Sequence, residues 1–315
     1  MRVEAYIGRF APSPTGPLHF GSLVCALASF VDARYHSGRW LVRVEDIDPP
    51  REVPGATTTI LQQLTDHGLI WDGELLYQSS RTEAYRDAIE NLKSSAAAYN
   101  CDCPRQRITA LGGIYDGHCR DRKVTENAAV RLQVPADTQS TVRFSDLIMG
   151  DYSQNLSAEA GDFVVQRRDG LFSYQLAVTV DDQFQNISHI IRGADLIDST
   201  PRQIYLQKCL GFFSATNSPL SSSLSSSLSS SLITYGHLPM ATNAEGQKLS
   251  KQNHAAALMV GAEAQNLWLA LEWLQQQPPT ELKNESVQRI LDWAIGNWSI
   301  DSVPKQISVP APAQY

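Results

Sequence analysis

Residues 9–22 read RFAPSPTGPLHFGS: three prolines and two glycines set between a short apolar run, VEAYIG (3–8), and a stretch of helical apolar spacing, SLVCALASFVDARYH (22–36). The first run reads as a buried strand and the second as a helix. RWLVRVEDID (39–48) reads as another strand, ending in acids. Strand, glycine-containing turn, helix and strand make a βαβ unit, so the sequence predicts an α/β fold around a parallel sheet. A turn of this composition lets backbone approach a ligand without side chains in the way. The helix after it aims its N-terminal amides and dipole at the same spot, which suits an anion. His19 lies at that junction, and an imidazole donates a hydrogen bond to a phosphate without having to be charged. A rigid turn carrying a surface histidine is the plainer alternative.

Further along, 54–67 and 82–97 read as amphipathic helices, and 101–119 as a small loop-rich insert. Strand-like runs follow in AAVRLQVP (128–135), DFVVQRR (162–168) and ISHIIRG (187–193). STPRQIYLQKCLG (199–211) opens with a capping hydroxyl and a proline, as helices do. Helices are expected near 262–276 and 285–298, and the tail SVPKQISVPAPAQY as a frayed end. The repeat SPLSSSLSSSLSSSL (218–232) places leucines four apart, but three serines in every four residues disfavour a helix, and a surface loop is expected.

The net charge is −7, so a nucleic-acid contact would need a local basic patch rather than a basic protein. Apolar residues form 43% of the chain, enough for a substantial core. No run has the length of a signal peptide or a membrane span, and a cytosolic protein that avoids membranes is expected. In that compartment clustered cysteines favour metal over disulfides. Of five cysteines, Cys101, Cys103 and Cys119 form a C-x-C pair with a third sixteen residues on, a spacing suited to one tetrahedral Zn²⁺. His118 and Tyr115 are the nearby candidates for a fourth ligand, and general chemistry favours the imidazole. Cys25 and Cys209 lie in apolar helical runs and read as core residues. A second phosphate candidate is GQKLSKQ (246–252), whose Lys248 and Lys251 sit in a polar loop able to reach a polyphosphate. Alone, it reads as a solvated basic loop.

Together the two stretches resemble a known pairing. PSPTGPLHFGS is similar to the HIGH motif of class I aminoacyl-tRNA synthetases, and KLSKQ to their KMSKS motif. RFAPSPTG, VRVEDIDPPR (42–51), LIWDGELLYQSSR (69–81), YQLAVTVDD (174–182) and IIRGADLIDSTPRQIYL (190–206) resemble the glutamyl branch of that family. The likeness covers roughly residues 5–255, departing at Ser22 and Gln252 in the last motif positions and at the SSSL repeat. It implies a Rossmann-like catalytic domain that joins glutamate to ATP, with Mg²⁺, and releases pyrophosphate. His19, Lys251 and Lys248 would be the catalytic, phosphate-binding residues, and Gly16 and Gly21 would leave room for ATP. Arg9, Ala11, Ser13, Glu45, Tyr174 and Arg192 would line the glutamate site, Glu45 facing the ammonium and the arginines the carboxylates. A surface ion pair is the plainer reading of Glu45 and Arg192.

The chain runs only from Asn253 to Tyr315 after the KLSKQ loop, too little for an anticodon-binding domain. This resembles a truncated offshoot of the branch that modifies tRNA, placing glutamate on queuosine in the anticodon loop of tRNA(Asp). The pattern C-x-C-x11-Y-x3-C is similar to the structural zinc site of that offshoot, which implies Tyr115 as the fourth ligand, with His118 the rival. The expected organisation is a first catalytic half (1–97), a zinc-containing insert of acceptor-stem type with return strands (98–192), a second catalytic half (193–255) and a short helical C-terminus (256–315), in a monomer. A short synthetase charging the tRNA 3′ end, and a non-catalytic RNA- or protein-binding module, are the alternatives.

Overall fold

The computed structural model describes residues 6–136, 140–212, 233–243, 245–249 and 257–315. The SSSL repeat and Lys251 lie outside these. The first part of the chain holds β1 (Ile7–Phe10), α1 (Phe20–Tyr35), β2 (Arg39–Val44), α2 (Ala56–Asp66), β3 (Leu76–Tyr77) and α3 (Thr82–Ser94). The middle holds β4 (Ala98–Cys101), α4 (Arg105–Ala110), β5 (Ala129–Leu132), β6 (Thr141–Asp146), β7 (Gly150–Asn155), α5 (Leu156–Glu159) and β8 (Phe163–Gln166). It is followed by α6 (Tyr174–Phe184), β9 (His189–Gly193), α7 (Thr200–Cys209), β10 (Thr234–Leu238) and β11 (Met240–Thr242). The chain closes with α8 (Glu263–Trp273), α9 (Val287–Asn297) and β12 (Ser308–Pro310).

The expected βαβ unit is present: β1 pairs parallel with β2 across α1, with Arg9 opposite Leu41, and β2 pairs parallel with β3. The first strand runs two residues past its predicted end and carries Arg9 and Phe10, so Arg9 is held by a sheet rather than by the turn. A second sheet runs β7-β6-β10-β9, parallel except for the β6–β7 hairpin, which the sequence did not disclose. Ser188, just before β9, bonds both the N–H and the C=O of Ile7, so β9 lies beside β1. The insert has its own antiparallel sheet, β4-β5-β8.

Helix α1 is buried on nearly every side, Leu23, Leu27 and Val31 as well as Val24, Ala28 and Phe30. A helix apolar all round belongs inside a protein, and this one packs between the strands and the pair α8 and α9. A second core gathers α3, α6 and α7 with strands β5, β8, β9 and β10. No helix among the described residues is long and apolar enough to cross a membrane.

The tail corrects the expectation of a frayed end. Strand β12 pairs parallel with β11, Tyr315 stacks on Phe20 with ring centroids 4.4 Å apart, and Trp273 Nε1 donates to Pro310 O at 2.8 Å.

Candidate active site and cysteine cluster

The turn after β1 and the start of α1 form one wall of a cleft of about 640 Å³. His19 is the N-cap of α1: its Nδ1 accepts the Ser22 N–H at 3.3 Å, while Ser22 Oγ accepts the His19 N–H at 2.8 Å. This reciprocal cap satisfies two amides that a helix start leaves over. It also fixes the tautomer, because an accepting Nδ1 leaves the proton on Nε2. Gly21 leaves room here, since a Cβ on it would sit 3.3 Å from the His19 ring, a tight contact.

Arg9, Ala11, Ser13, His19, Gly21, Glu45, Tyr174, Arg192 and Lys248 all line this cleft. Gly16 sits in the turn with φ +134° but outside the lining. Lys251 lies outside the described residues, yet the chain on either side of it is placed. Leu249 N–H bonds Ala241 O, and Ala257 bridges to His19. Leu249 and Ala257, the described residues on either side, thus both lie at the cleft. Lys248 Nζ donates to Asp195 Oδ2 at 2.5 Å.

The amino-acid end is built of buried charge. Arg9 donates to both oxygens of Asp182, at 3.1 and 3.2 Å, and Arg43 Nη1 donates to the same carboxylate at 2.8 Å. Burial pushes the Asp182 carboxyl up, but Arg43 and Arg9 outweigh it and hold it below the usual carboxylate value. Glu45 lies 3.6 Å from Arg43, and among the described residues no hydrogen bond reaches its Oε1. Burial raises its carboxyl against the pull of Arg43 and Arg9. Arg192 is 4% exposed and packs by Tyr174, its Nη1 at 3.4 Å from the phenol oxygen. Glu45 and Arg192 are therefore not a surface ion pair. Cys25 also lines the cleft, and burial, with Asp195 adding, pushes its thiol up to about 12, so it stays protonated.

Several of these groups escaped sequence reasoning. Asp182 lay within a quoted motif without a role, although two adjacent acids in an apolar helix are a signal in themselves. Arg43, wholly buried in β2, is the same kind of signal.

The insert closes around Cys101, Cys103 and Cys119, whose sulfurs lie within 4.8 Å of one another, with Asp102 Oδ1 3.4 Å from Cys119 Sγ at the edge. Tyr115 Oη is 3.3 Å from Cys101 Sγ and 3.4 Å from Cys103 Sγ, and Cys103 and Cys119 sulfurs are 3.5 Å apart. These edges are close to those of a tetrahedron of ligands about 2.0–2.3 Å from one Zn²⁺. Tyr115 is buried, whereas His118 is exposed and turns its backbone N–H to Asp116. Arg131 stacks on the Tyr115 ring at 4.0 Å and donates to Cys101 Sγ at 3.3 Å. Gly161, at φ +60°, lets Tyr115 come close, since a Cβ there would sit 2.6 Å from the Tyr115 carbonyl.

The family described as tRNA synthetases class I (E and Q), catalytic domain, matches residues 7–266. The Glutamyl-Q tRNA(Asp) synthetase of Escherichia coli O6:H1 is 49% identical over 305 residues, covering 96% of this chain and 92% of that protein. The protein of that name from Cronobacter sakazakii is 48% identical, covering 96% and 95%. Among solved structures, a glutamate-tRNA synthetase from Elizabethkingia anophelis superposes with a TM-score of 0.76 at 23% identity, covering 99% of this chain and 69% of that one, a likeness of fold. On the family match and the near-half identity to the curated relatives, the chain belongs to the class I tRNA synthetases (E and Q), catalytic domain.

Proposed function

We propose that this protein is a ligase that activates glutamate with ATP, without tRNA, and transfers the glutamyl group to queuosine in the anticodon loop of tRNA(Asp). The observation that carries the reading is the Glu45 carboxylate oxygen that no hydrogen bond reaches, in one cleft with Arg9, Arg192 and His19. An amino acid complements this arrangement: an ammonium for Glu45 and a carboxylate for Arg192, whose hydrogen-bond partners are neutral, beside Arg9, which Asp182 holds in place. The curated relatives that carry the name Glutamyl-Q tRNA(Asp) synthetase support both substrates.

In the first step a glutamate carboxylate oxygen attacks the α-phosphorus of ATP in line. A P–O bond forms, the bond to the β-phosphate oxygen breaks, and pyrophosphate leaves with the electron pair. The protein contributes position and charge more than covalent chemistry. His19 donates from Nε2 to the phosphates, beside the positive end of α1. Lys248 and Lys251 neutralise the pyrophosphate side, and Mg²⁺ accompanies ATP. In the second step a queuosine hydroxyl attacks the adenylate carbonyl, and AMP departs. A splayed anticodon base suits entry into a cleft of this kind. Cys101, Cys103, Cys119 and Tyr115 would hold one structural Zn²⁺ that ties the insert together. The protein acts as a cytoplasmic monomer.

Transfer of labelled glutamate, with ATP and Mg²⁺, to tRNA(Asp) with and without queuosine tests the reading. Label only on the queuosine-containing tRNA is expected. Equal label on both would mean 3′-end charging, and label on neither would overturn the ligase.

A further inference from the structure

Behind Arg192, on the side away from the cleft, the second sheet buries a chain of polar groups to which the mechanism gives no role. Asp146 ends β6 and His237 lies in β10, both inaccessible to solvent at the side chain. Asp146 Oδ1 accepts the backbone N–H groups of Ile148 (3.0 Å), Met149 (2.9 Å) and His237 (3.0 Å). Its Oδ2 lies 2.6 Å from His237 Nδ1. A carboxylate can only accept, so Nδ1 carries a proton. Burial and the neighbouring Arg192 lower the affinity of the ring for a second proton, so Nε2 keeps its lone pair. That lone pair faces Arg192 Nε–H at 3.1 Å, with the Thr200 hydroxyl also at 3.1 Å.

Arg192 is thereby gripped along one edge. Nε meets His237, while Nη2 donates to Thr200 Oγ1 at 2.6 Å and to Gln203 Oε1 at 2.9 Å. A guanidinium is planar and rigid, so fixing the Nε–Nη2 edge fixes where Nη1 points. Here Nη1 turns to Tyr174 and the cleft. The opposite imidazole tautomer would set an N–H against the N–H of a buried cation, and the grip would fail. Orientation through a carboxylate and an imidazole tautomer is known to matter far more than shape alone suggests.

We propose that Asp146 and His237 are positioning residues for Arg192: the carboxylate selects the Nδ1–H imidazole, and Nε2 then holds the guanidinium with its Nη1 aimed at a carboxylate of the amino-acid substrate. This rests on the proposed glutamate activation. It places the determinant of substrate affinity two residues deep behind the cleft, on β6 and β10.

Glutamate-dependent ATP–pyrophosphate exchange tests it, with KM read separately for glutamate and for ATP. Asp146→Asn keeps the shape and can keep the three backbone bonds, but its amide N–H₂ faces Nδ1 and reverses the tautomer. Its glutamate KM is expected to rise about tenfold or more, with the ATP KM little changed. His237→Gln replaces the ring but can bring an amide oxygen to the place of Nε2, so it is expected to raise the glutamate KM less than Asp146→Asn does. A merely structural role predicts the reverse order, because asparagine is the better steric match. Should Asp146→Asn fail to fold, His237→Gln against His237→Phe makes the same comparison, and phenylalanine, which keeps a ring and loses the acceptor, must be worse. An Asp146→Asn glutamate KM equal to that of the parent, equal rises for both substrates, or a reversed order in either comparison would overturn the proposal. A parent without glutamate-dependent exchange gives a different signature and overturns the functional reading together with the proposal.

Discussion

Tyr115 and His118, the two candidates for a fourth zinc ligand, differ in where the chain puts them. Imidazole is the commoner zinc ligand, but the chain buries the phenol among three sulfurs and leaves the imidazole exposed. Adjacent residues seldom both reach one metal, and Cys119 takes the inward position while His118 takes the outward one. If Tyr115 is a ligand, Tyr115→Phe removes a donor without removing the ring on which Arg131 stacks. Zinc affinity should then fall about tenfold or more, read by competition with a chelating dye. His118→Ala should leave it unchanged. The reverse pair of results would hand the fourth position to the histidine. That Arg9, His19, Glu45, Tyr174 and Arg192 gather in one cleft was legible because each sits in a motif of the sequence. Arg43 and Asp182 were not assigned, because their contact joins residues 139 apart in sequence, and neither local spacing nor propensity reports such a pairing.

At the scale of elements, the proline- and glycine-rich turn made the first βαβ unit readable, since nothing else follows a buried strand and precedes an all-apolar helix so directly. The tail was misread for the opposite reason. Its prolines and short length argue against regular structure, and propensity yields to tertiary contact when a partner edge is available. Strand β11 supplies that edge, and Pro310, which lacks an N–H, is tolerated at the end of a short edge strand. The tail also covers Phe20, the first residue of α1, next to the His19 cap. Deleting residues 308–315 should therefore cost about 3 kcal/mol, from the buried area of Tyr315 and its ring pairing. Unfolding in urea measures it: a midpoint equal to that of the full chain would mean the tail only rests on the surface. The β6–β7 hairpin was missed because TVRFSD and GDYSQN are polar and lack the apolar alternation of a half-buried pair.

At the scale of the whole molecule, two hydrophobic cores meet across the strands that carry the cleft, and a pair of neighbouring acids on α6 ties them together. Asp181 accepts from Gln78, Arg81 and Tyr85, beside α3, while Asp182 accepts from Arg9 on β1 and Arg43 on β2. Removing the charge of Asp182 leaves buried Arg9 without its counter-ion and buried Arg43 with Glu45 alone, 3.6 Å away. Asp182→Asn should cost about 3 kcal/mol at neutral pH, because an uncompensated buried charge is far more expensive than a missing surface pair. The pH dependence has a definite sign. The folded-state carboxyl lies below its ordinary value. Its contribution is therefore complete above roughly pH 3.9, the usual aspartate value, and is lost as pH falls through the lower folded value. The variant has no such proton to take up. Acids remote from Asp182 are common to both proteins and drop out of the difference, whereas Glu45, whose carboxyl Asp182 helps to raise, shifts down in the variant. The stability gap between parent and variant should then be widest at pH 7 and narrow steadily below about pH 4. Urea midpoints at a series of pH values measure it. A gap that stays constant into acid would mean that hydrogen bonding and packing at Asp182, rather than its charge, join the two halves of the protein.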